Sequence, residues 1–543
     1  MERPMKRKLS LISLSVLATC ALNAQVFAAE VPAGVELAAV QELVKGNGAE
    51  VATLDPHKTE GVPEANVLRD LFEGLVTSGP NGETLPAAAE SWETTDNKVY
   101  TFHMRQGAKW SNGDPVTAHD FEYAFKRAVN PETASPYAWY FEKATIKNAK
   151  AIINGTTATE QLAVTAKDDN TLVIELDKPL PYFVSMLYHT STNPVHKASV
   201  EKFGDKWTRP GNMVSNGAYK LDTWTVNERI VLSRNEQYWD NASTVINKVS
   251  YLPLQSQNAE MNRFLADEIH MTYEMPIEHF KRLKKEYPES VKVTGYVGTY
   301  YYQFNTKQKP FDDVRVRTAL SYTINREAIA NFVLGQGQTP AYSFTPEIVD
   351  GFEPAPQEWA GLSQKERVAK AKALLAEAGY NKDNPLKFDL LYNTSENHKK
   401  IAIAVSSMWK KGLGVEAKLE NQEWKTYLDS KKQGNFSVAR AGWIADYNEA
   451  SSMLSLLESD NGNNDGKYNS PAYDKLMADS RITTDPAKRA NDYQQAEAIL
   501  SKDMPVAPIY QYVTARLVKP YLGGYPNNPL DNLYSKDMYL IKH

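Results

Sequence analysis

Segments whose apolar residues recur every second position alternate along this chain with segments where they recur every third or fourth. That alternation confines it to a mixed α/β fold. Lys98–Met104 reads as a strand and leads to an Asn112-Gly113 turn signal. Thr117, with Asp120 three residues on, predicts a helix N-terminus, and Phe121, Ala124, Phe125 and Ala128 form an apolar stripe behind it. Ala218–Trp224 and Arg229–Arg234 are predicted strands joined at Val226-Asn227-Glu228. Asp312 is predicted to open a helix burying Val316, Ala319 and Leu320. Asn325 caps the next, with Ile329, Phe332 and Val333 inward and Gly335 near its end. Lys400–Lys411 reads as a helix stopped by Gly412 that buries Ile401, Val405 and Met408, before a strand through Val415, Ala417 and Leu419. Trp424 and Leu428 begin a helix that stops at Gly434. The sequence has no strict internal repeat.

The N-terminus sets the compartment. Arg3, Lys6, Arg7 and Lys8 precede an apolar run from Leu9 to Leu22, and Val26-Phe27-Ala28 offers a small-residue cleavage site, so residues 1–28 read as a signal peptide. The removed segment carries four basic residues and one acidic. The mature chain therefore has 57 Lys and Arg against 65 Asp and Glu, a net charge of −8. That balance argues against nucleic acid and against an anionic membrane surface as partner. The single cysteine, Cys20, lies in the removed segment, so an exported chain must hold together by its cores alone.

Asn435-Phe-Ser-Val-Ala-Arg-Ala-Gly-Trp-Ile-Ala-Asp-Tyr-Asn-Glu449 reads as a strand ending at a small-residue turn with an acid just beyond. Phe436, Val438 and Arg440 are expected on one face. Arg440, Trp443 and Asp446 put a cation, an aromatic plate and a carboxylate within seven residues, which suits an extended zwitterion such as a peptide. The same residues also suit a structural ion pair at a strand end.

Catalytic signatures are scarce. The sequence has no Gly-x-Ser-x-Gly, no His-Glu-x-x-His, no phosphate loop and no dinucleotide fingerprint. Its nine histidines are scattered without metal-ligand spacing. The chain is read as a non-enzyme that needs no cofactor, with a secreted peptidase or a metal or haem receptor as remote alternatives.

Longer motifs carry a resemblance. They are Leu54-Asp-Pro56, Arg69-Asp-Leu-Phe-Glu-Gly-Leu75, Trp110-Ser-Asn-Gly-Asp-Pro-Val-Thr-Ala-His-Asp-Phe121, Asn216-Gly-Ala-Tyr219, Tyr238-Trp239, Phe311-Asp-Asp-Val-Arg-Val-Arg-Thr-Ala-Leu320, Ala441–Glu449 and Lys536–His543. Over essentially the whole mature chain the sequence resembles the peptide-binding proteins of bacterial ABC importers, solute-binding protein family 5, and its oligopeptide-binding members in particular. Tyr392–His398 and Asn421–Tyr427 are equally similar to members that bind murein tripeptide. The resemblance implies an α/β bilobal periplasmic-binding-protein clamshell of type II, cluster C. Residues 29–72, 197–297 and 513–543 are expected to form lobe I, 73–196 an additional domain packed on it, and 298–512 lobe II, with two crossover strands between the lobes.

The family also implies roles. Asp446 matches the position that meets the peptide ammonium. Backbone groups around Arg440, Gly442 and Ile444 match those that bond the peptide as an added strand. Arg440 and His398 match positions for the terminal carboxylate; His398 alternatively reads as a surface capping residue. Tyr137, Asn393, Trp424, Trp443, Glu60 and Val62 are further pocket candidates, Trp424 alternatively a core residue at a helix start. The chain departs from the family pattern at Leu334, where a Lys is usual, at Lys431 in place of Arg, and at Gln257 and Gln303 in place of acids. A cysteine pair of the relatives falls at Gly298 and Ile444. Leu334 removes one cation, while Arg440, Lys431 and His398 retain three. The implied protein is a periplasmic monomer that takes short peptides to an inner-membrane ABC permease with its ATPases, with murein tripeptide as the alternative ligand.

Overall fold

Three sheets of four or more strands organise the molecule, a computed structural model that describes Ala29, residues 31–355 and residues 357–543. The expected signal peptide lies outside the described residues. One four-stranded sheet runs in the order Glu42–Gly46, Lys248–Leu252, Arg229–Arg234, Tyr219–Thr225. A second is wholly antiparallel: Ala89–Glu93, Val99–Met104, Thr171–Glu175, Val164–Asp168. The third has six strands: Thr339–Pro340, Val506–Leu517, Val291–Phe304, Val438–Ile444, Lys387–Asn393, Glu416–Gln422.

Two strands of the third sheet are long and antiparallel, with 14 and 12 residues. Their register shifts between Gly295 and Thr299 and again between Tyr300 and Tyr301. At one end Val291–Gly295 pairs with Leu517–Val513, and Val518 bridges to Met271, which bridges to Lys45 of the first sheet. At the other end Gly298–Phe304 pairs with Ile444–Val438 inside the third sheet. The two strands thus carry the chain from one sheet system to the other, and their irregularities mark the place where it bends.

Local chemistry explains most elements. Thr117 and Asp120 form the expected capping box on Ala118–Val129, and Phe121, Ala124, Phe125 and Ala128 are fully buried beneath it. The helix with Val316, Ala319 and Leu320 inward is capped by Asp313, one residue later than expected. Three expectations are corrected. The helix Glu396–Leu413 runs through Gly412 and ends at Gly414, whose φ of +75° supplies the left-handed turn. Gly412 serves packing, because a Cβ there would stand 2.8 Å from the Thr323 methyl. Phe332 is 86% exposed. Residues Ile329–Leu334 form a wider π-turn, which rotates Phe332 outward and Leu334 inward. Phe436 precedes the strand Val438–Ile444 and packs with Leu391, Tyr427 and Ala439, away from Val438.

Candidate ligand-binding cleft

The cleft is built on the strand Val438–Ile444. One edge pairs fully with Phe304–Gly298. On the other edge only Val438 and Ala439 find strand partners, Leu390 and Leu391. From Arg440 to Ile444 that edge has no strand beside it among the described residues, and Arg440, Gly442, Trp443 and Ile444 border a cavity of about 300 Å³. An open edge inside a cleft accepts an extended chain. Gly442 is required here, since a Cβ would stand 2.4 Å from the Tyr512 hydroxyl oxygen. Gly298 lies directly opposite Ile444, whose Cδ1 would lie 2.4 Å from a Cβ on Gly298.

Asp446 lies just beyond the strand. Its backbone N–H donates to Ser452 Oγ (2.6 Å), and its Oδ1 accepts from the Tyr137 hydroxyl (3.3 Å). Its Oδ2 is buried without a partner. Burial pushes the carboxyl up to about 8, and the Tyr137 hydroxyl offsets only part of that. His189 Nε2 stands 3.4 Å from Oδ1, but burial and Arg69 push this imidazole down to about 3. At pH 7 the contact therefore joins two predominantly neutral groups. Tyr137 stacks on His189 at 4.5 Å and lies parallel to Trp443, whose Nε1 donates to the Ser452 carbonyl (2.8 Å).

Arg440 anchors the opposite end. Nη1 donates to Asn393 Oδ1 (3.2 Å), Nη2 donates to the Tyr512 hydroxyl (2.7 Å), and the guanidinium lies over the Tyr300 ring at 4.8 Å. Nε is buried and unpartnered, and Arg440 makes no salt bridge among the described residues. His398 sits in the first turn of Glu396–Leu413, where its N–H donates to Ser395 Oγ (3.4 Å). It is buried, its Nδ1 has no partner, and burial with the Arg440 charge holds it well below its ordinary pKa. His398 is thus buried rather than a surface cap, and its surroundings disfavour the cationic form. Lys431 Nζ is 3.1 Å from Asp465 Oδ2, so its charge is already neutralised. Of the three cations expected from the sequence, only Arg440 is both charged and without a carboxylate.

Glu60, Val62, Asn393 and Trp424 also border the cavity. Trp424 opens the helix Trp424–Lys432 and meets the loop at Gly61, where a Cβ would stand 3.0 Å from its ring. Nearby Glu64 is pushed up to about 7 by burial. Tyr137 reaches the site through Asp446 and does not border the cavity itself. Gln303 stands apart, buried beside Leu456 and Asn464 in a separate small pocket. Sequence reasoning missed His189, Tyr512, Arg69 and Glu274. Only the Tyr510–Tyr512 alternation on a strand hinted at one of them.

The two sides of the cleft are held together directly. Lys432 lies 3.7 Å from Glu60, and Asn258 Nδ2 donates to Glu396 (2.9 Å). On the far side Lys143 meets Glu458 (2.9 Å) and Asp460 (2.6 Å); burial and the nearby Arg481 bring its ammonium down to about 8.

The chain belongs to the bacterial extracellular solute-binding proteins, family 5. The family model described as "Bacterial extracellular solute-binding proteins, family 5 Middle" matches residues 83–465. The chain is 55% identical over 538 residues to the periplasmic oligopeptide-binding protein OppA of Salmonella typhimurium, covering 99% of each. Its structure matches the Escherichia coli murein tripeptide binding protein MppA with a TM-score of 0.93 at 51% identity, over 93% of this chain and 100% of that one. Haemophilus influenzae OppA in complex with RPPGFSPFR gives 0.91 at 48% identity, over 93% and 100%. Against MppA in its unliganded open form the TM-score is 0.67, at 50% identity over 94% and 99%. The fold is the bilobal α/β clamshell, here in a closed arrangement like the peptide complex and unlike the open form.

Proposed function

We propose that this protein captures short peptides in the periplasm and delivers them to an inner-membrane ABC permease, acting as a monomer and performing no chemistry on them. The observation that carries the reading is the pair of unsatisfied buried groups at the two ends of an open strand edge: Asp446 Oδ2 and Arg440 Nε. A peptide lying antiparallel to Arg440–Ile444 brings its ammonium to Asp446 and its carboxylate to Arg440. Its backbone meets the free edge, which is blind to side chains. The lobes we assign are 29–72, 197–297 and 513–543 against 298–512, with 73–196 packed on the first. The register shift between Gly295 and Thr299 supports this division. Export with cleavage after Ala28 belongs to the same proposal.

Calorimetry on protein stripped of co-purifying ligand tests the reading with Ala-Ala-Ala. Binding is expected, and mass analysis is expected to return the tripeptide intact. A cleaved product points to the peptidase alternative. Murein tripeptide is a second reading, favoured by the match to MppA. The Lys431–Asp465 pair removes one cation that its extra carboxylate could have used. Competition between the two peptides separates the readings.

The charges also govern closure. A lone ionised carboxylate is costly to bury, so an empty cleft closes most easily with Asp446 protonated. A carboxyl raised to about 8 in the closed state binds its proton more tightly there than in the open state. It therefore weakens empty closure as pH rises from about 4 to about 8. His189 and His398, both lowered, act in the opposite direction, but only below their ordinary value of 6.5. Lys143, brought down to about 8, also acts in the opposite direction, but chiefly above pH 8, so the carboxyl leads between pH 6.5 and 8. Small-angle scattering of stripped protein is expected to give a larger radius of gyration at pH 8 than at pH 6.5. Peptide-saturated protein should be compact at both. Equal radii for stripped and saturated protein at every pH would contradict this mechanism.

A further inference from the structure

We infer that the end of the cleft beside Arg440 selects a peptide residue with a cationic side chain, and that Glu274 is the group that selects it. The inference rests on the peptide-receptor reading and adds a preference that backbone recognition alone does not give.

Glu274 borders the cavity and makes no salt bridge among the described residues. The Gln257 amide nitrogen donates to its Oε2, which fixes the Gln257 Oε1 as the free acceptor. That oxygen is buried without a partner, and so is Oδ1 of Asn397, whose amide also lies against Glu274. Gln257 and Asn397 are 5% and 9% exposed, and both border the same cavity. One carboxylate and two orphan amide oxygens form a cluster of acceptors with too few donors. A Lys ammonium brings three donors and a guanidinium five, whereas an apolar or acidic side chain leaves these oxygens unpaired.

The surroundings fit the rest of such a side chain. Met275 and Leu334, both buried, give an apolar wall for an aliphatic stem. The substitution that removes a cation at Leu334 also removes the group that would repel another one. Arg516, a cation on the same side, is already paired with Asp531 (2.7 Å). Arg440 is the cation that acts most strongly on Glu274. With Arg440 holding the peptide carboxylate, the residue that reaches Glu274 is the one bearing that carboxylate. Burial raises the Glu274 carboxyl, an effect that Arg440 and the two amides partly offset, and an arriving cation favours its ionised form.

Calorimetry on stripped protein tests this with Ala-Ala-Lys, Ala-Ala-norleucine and Ala-Ala-(Nε-acetyl-lysine), which share a stem and differ in the charge at its end. Ala-Ala-Lys is expected to bind about tenfold more tightly than either neutral peptide, the scale of one buried charged hydrogen bond. In Glu274→Gln the ratio is expected to fall to about twofold or less. A ratio near one in the parent protein overturns the inference while leaving the peptide reading intact. A ratio undiminished in Glu274→Gln overturns the role of Glu274. The parent ratios alone decide the preference should that variant fail to fold. Failure of all three peptides and of Ala-Ala-Ala to bind removes the inference and the peptide reading together.

Discussion

Asp446→Ala is expected to weaken binding of a free-amine tripeptide about tenfold, or ~1.4 kcal/mol. Truncating one partner of a buried charge pair typically costs ~2–5 kcal/mol. Part of that is offset here, because the carboxyl is protonated in the empty closed cleft and must ionise to meet an ammonium. With its pKa near 8, ionising it at pH 7 costs about 1.4 kcal/mol for the one unit involved. That leaves about 0.6–3.6 kcal/mol, a range that contains the ~1.4 kcal/mol of a tenfold loss. Asp446 has no permanent cationic partner, since His189 beside it is neutral, so the variant strands no buried charge. It should fold and lose ligand only. N-acetylated tripeptides should bind the parent poorly and be nearly indifferent to the substitution. Calorimetric affinities that are equal for free and acetylated peptides would remove Asp446 from the ammonium role.

The elements and the two ends of the cleft were legible in the sequence because their determinants are local. The capping box at Thr117 and Asp120, the stripe under it, and the hairpin at Asn227 are written within a few residues. The strand with Arg440, Trp443 and Asp446 is likewise a single short segment. The charge states were not legible, because partners far apart in the chain set them. Tyr137, His189 and Asp446 meet only after folding, and the desolvation that neutralises two of them comes from the closed lobes. Lys431 looks free in sequence and finds Asp465 in space. His398 suits a cation by motif, but sits buried beside the fixed charge of Arg440, which disfavours its protonated form. Phe332 has the spacing of an inward residue and turns out because a π-turn changes the period the reading assumed. Gln303 carries a family position, yet borders a separate small pocket that adjoins the cleft at Tyr301, Leu456 and Asn463.

Arg440→Met is expected to change affinity and stability in opposite directions. In the closed protein the guanidinium is held by two neutral oxygens and a ring face, with Nε left over. Removing a charge from such a site for an apolar chain of similar length is often neutral or stabilising. The thermal midpoint of the stripped variant should therefore equal or exceed that of the parent. The peptide carboxylate loses the cation at its end of the cleft, because Lys431 stays with Asp465 and His398 stays neutral. Free-acid tripeptides should then bind at least about tenfold more weakly, since a charged hydrogen-bond partner of this kind typically contributes ~1.5–3 kcal/mol. Tripeptides with an amidated C-terminus should bind the parent weakly and the variant about equally. Calorimetry on the two peptides, with scanning calorimetry on both proteins, reads all four quantities. A variant that melts lower and still prefers the free acid by the parental ratio would place the carboxylate seat elsewhere and make Arg440 a structural cation. A variant that melts no lower and has lost that preference fixes Arg440 as the group that reads the end of the peptide.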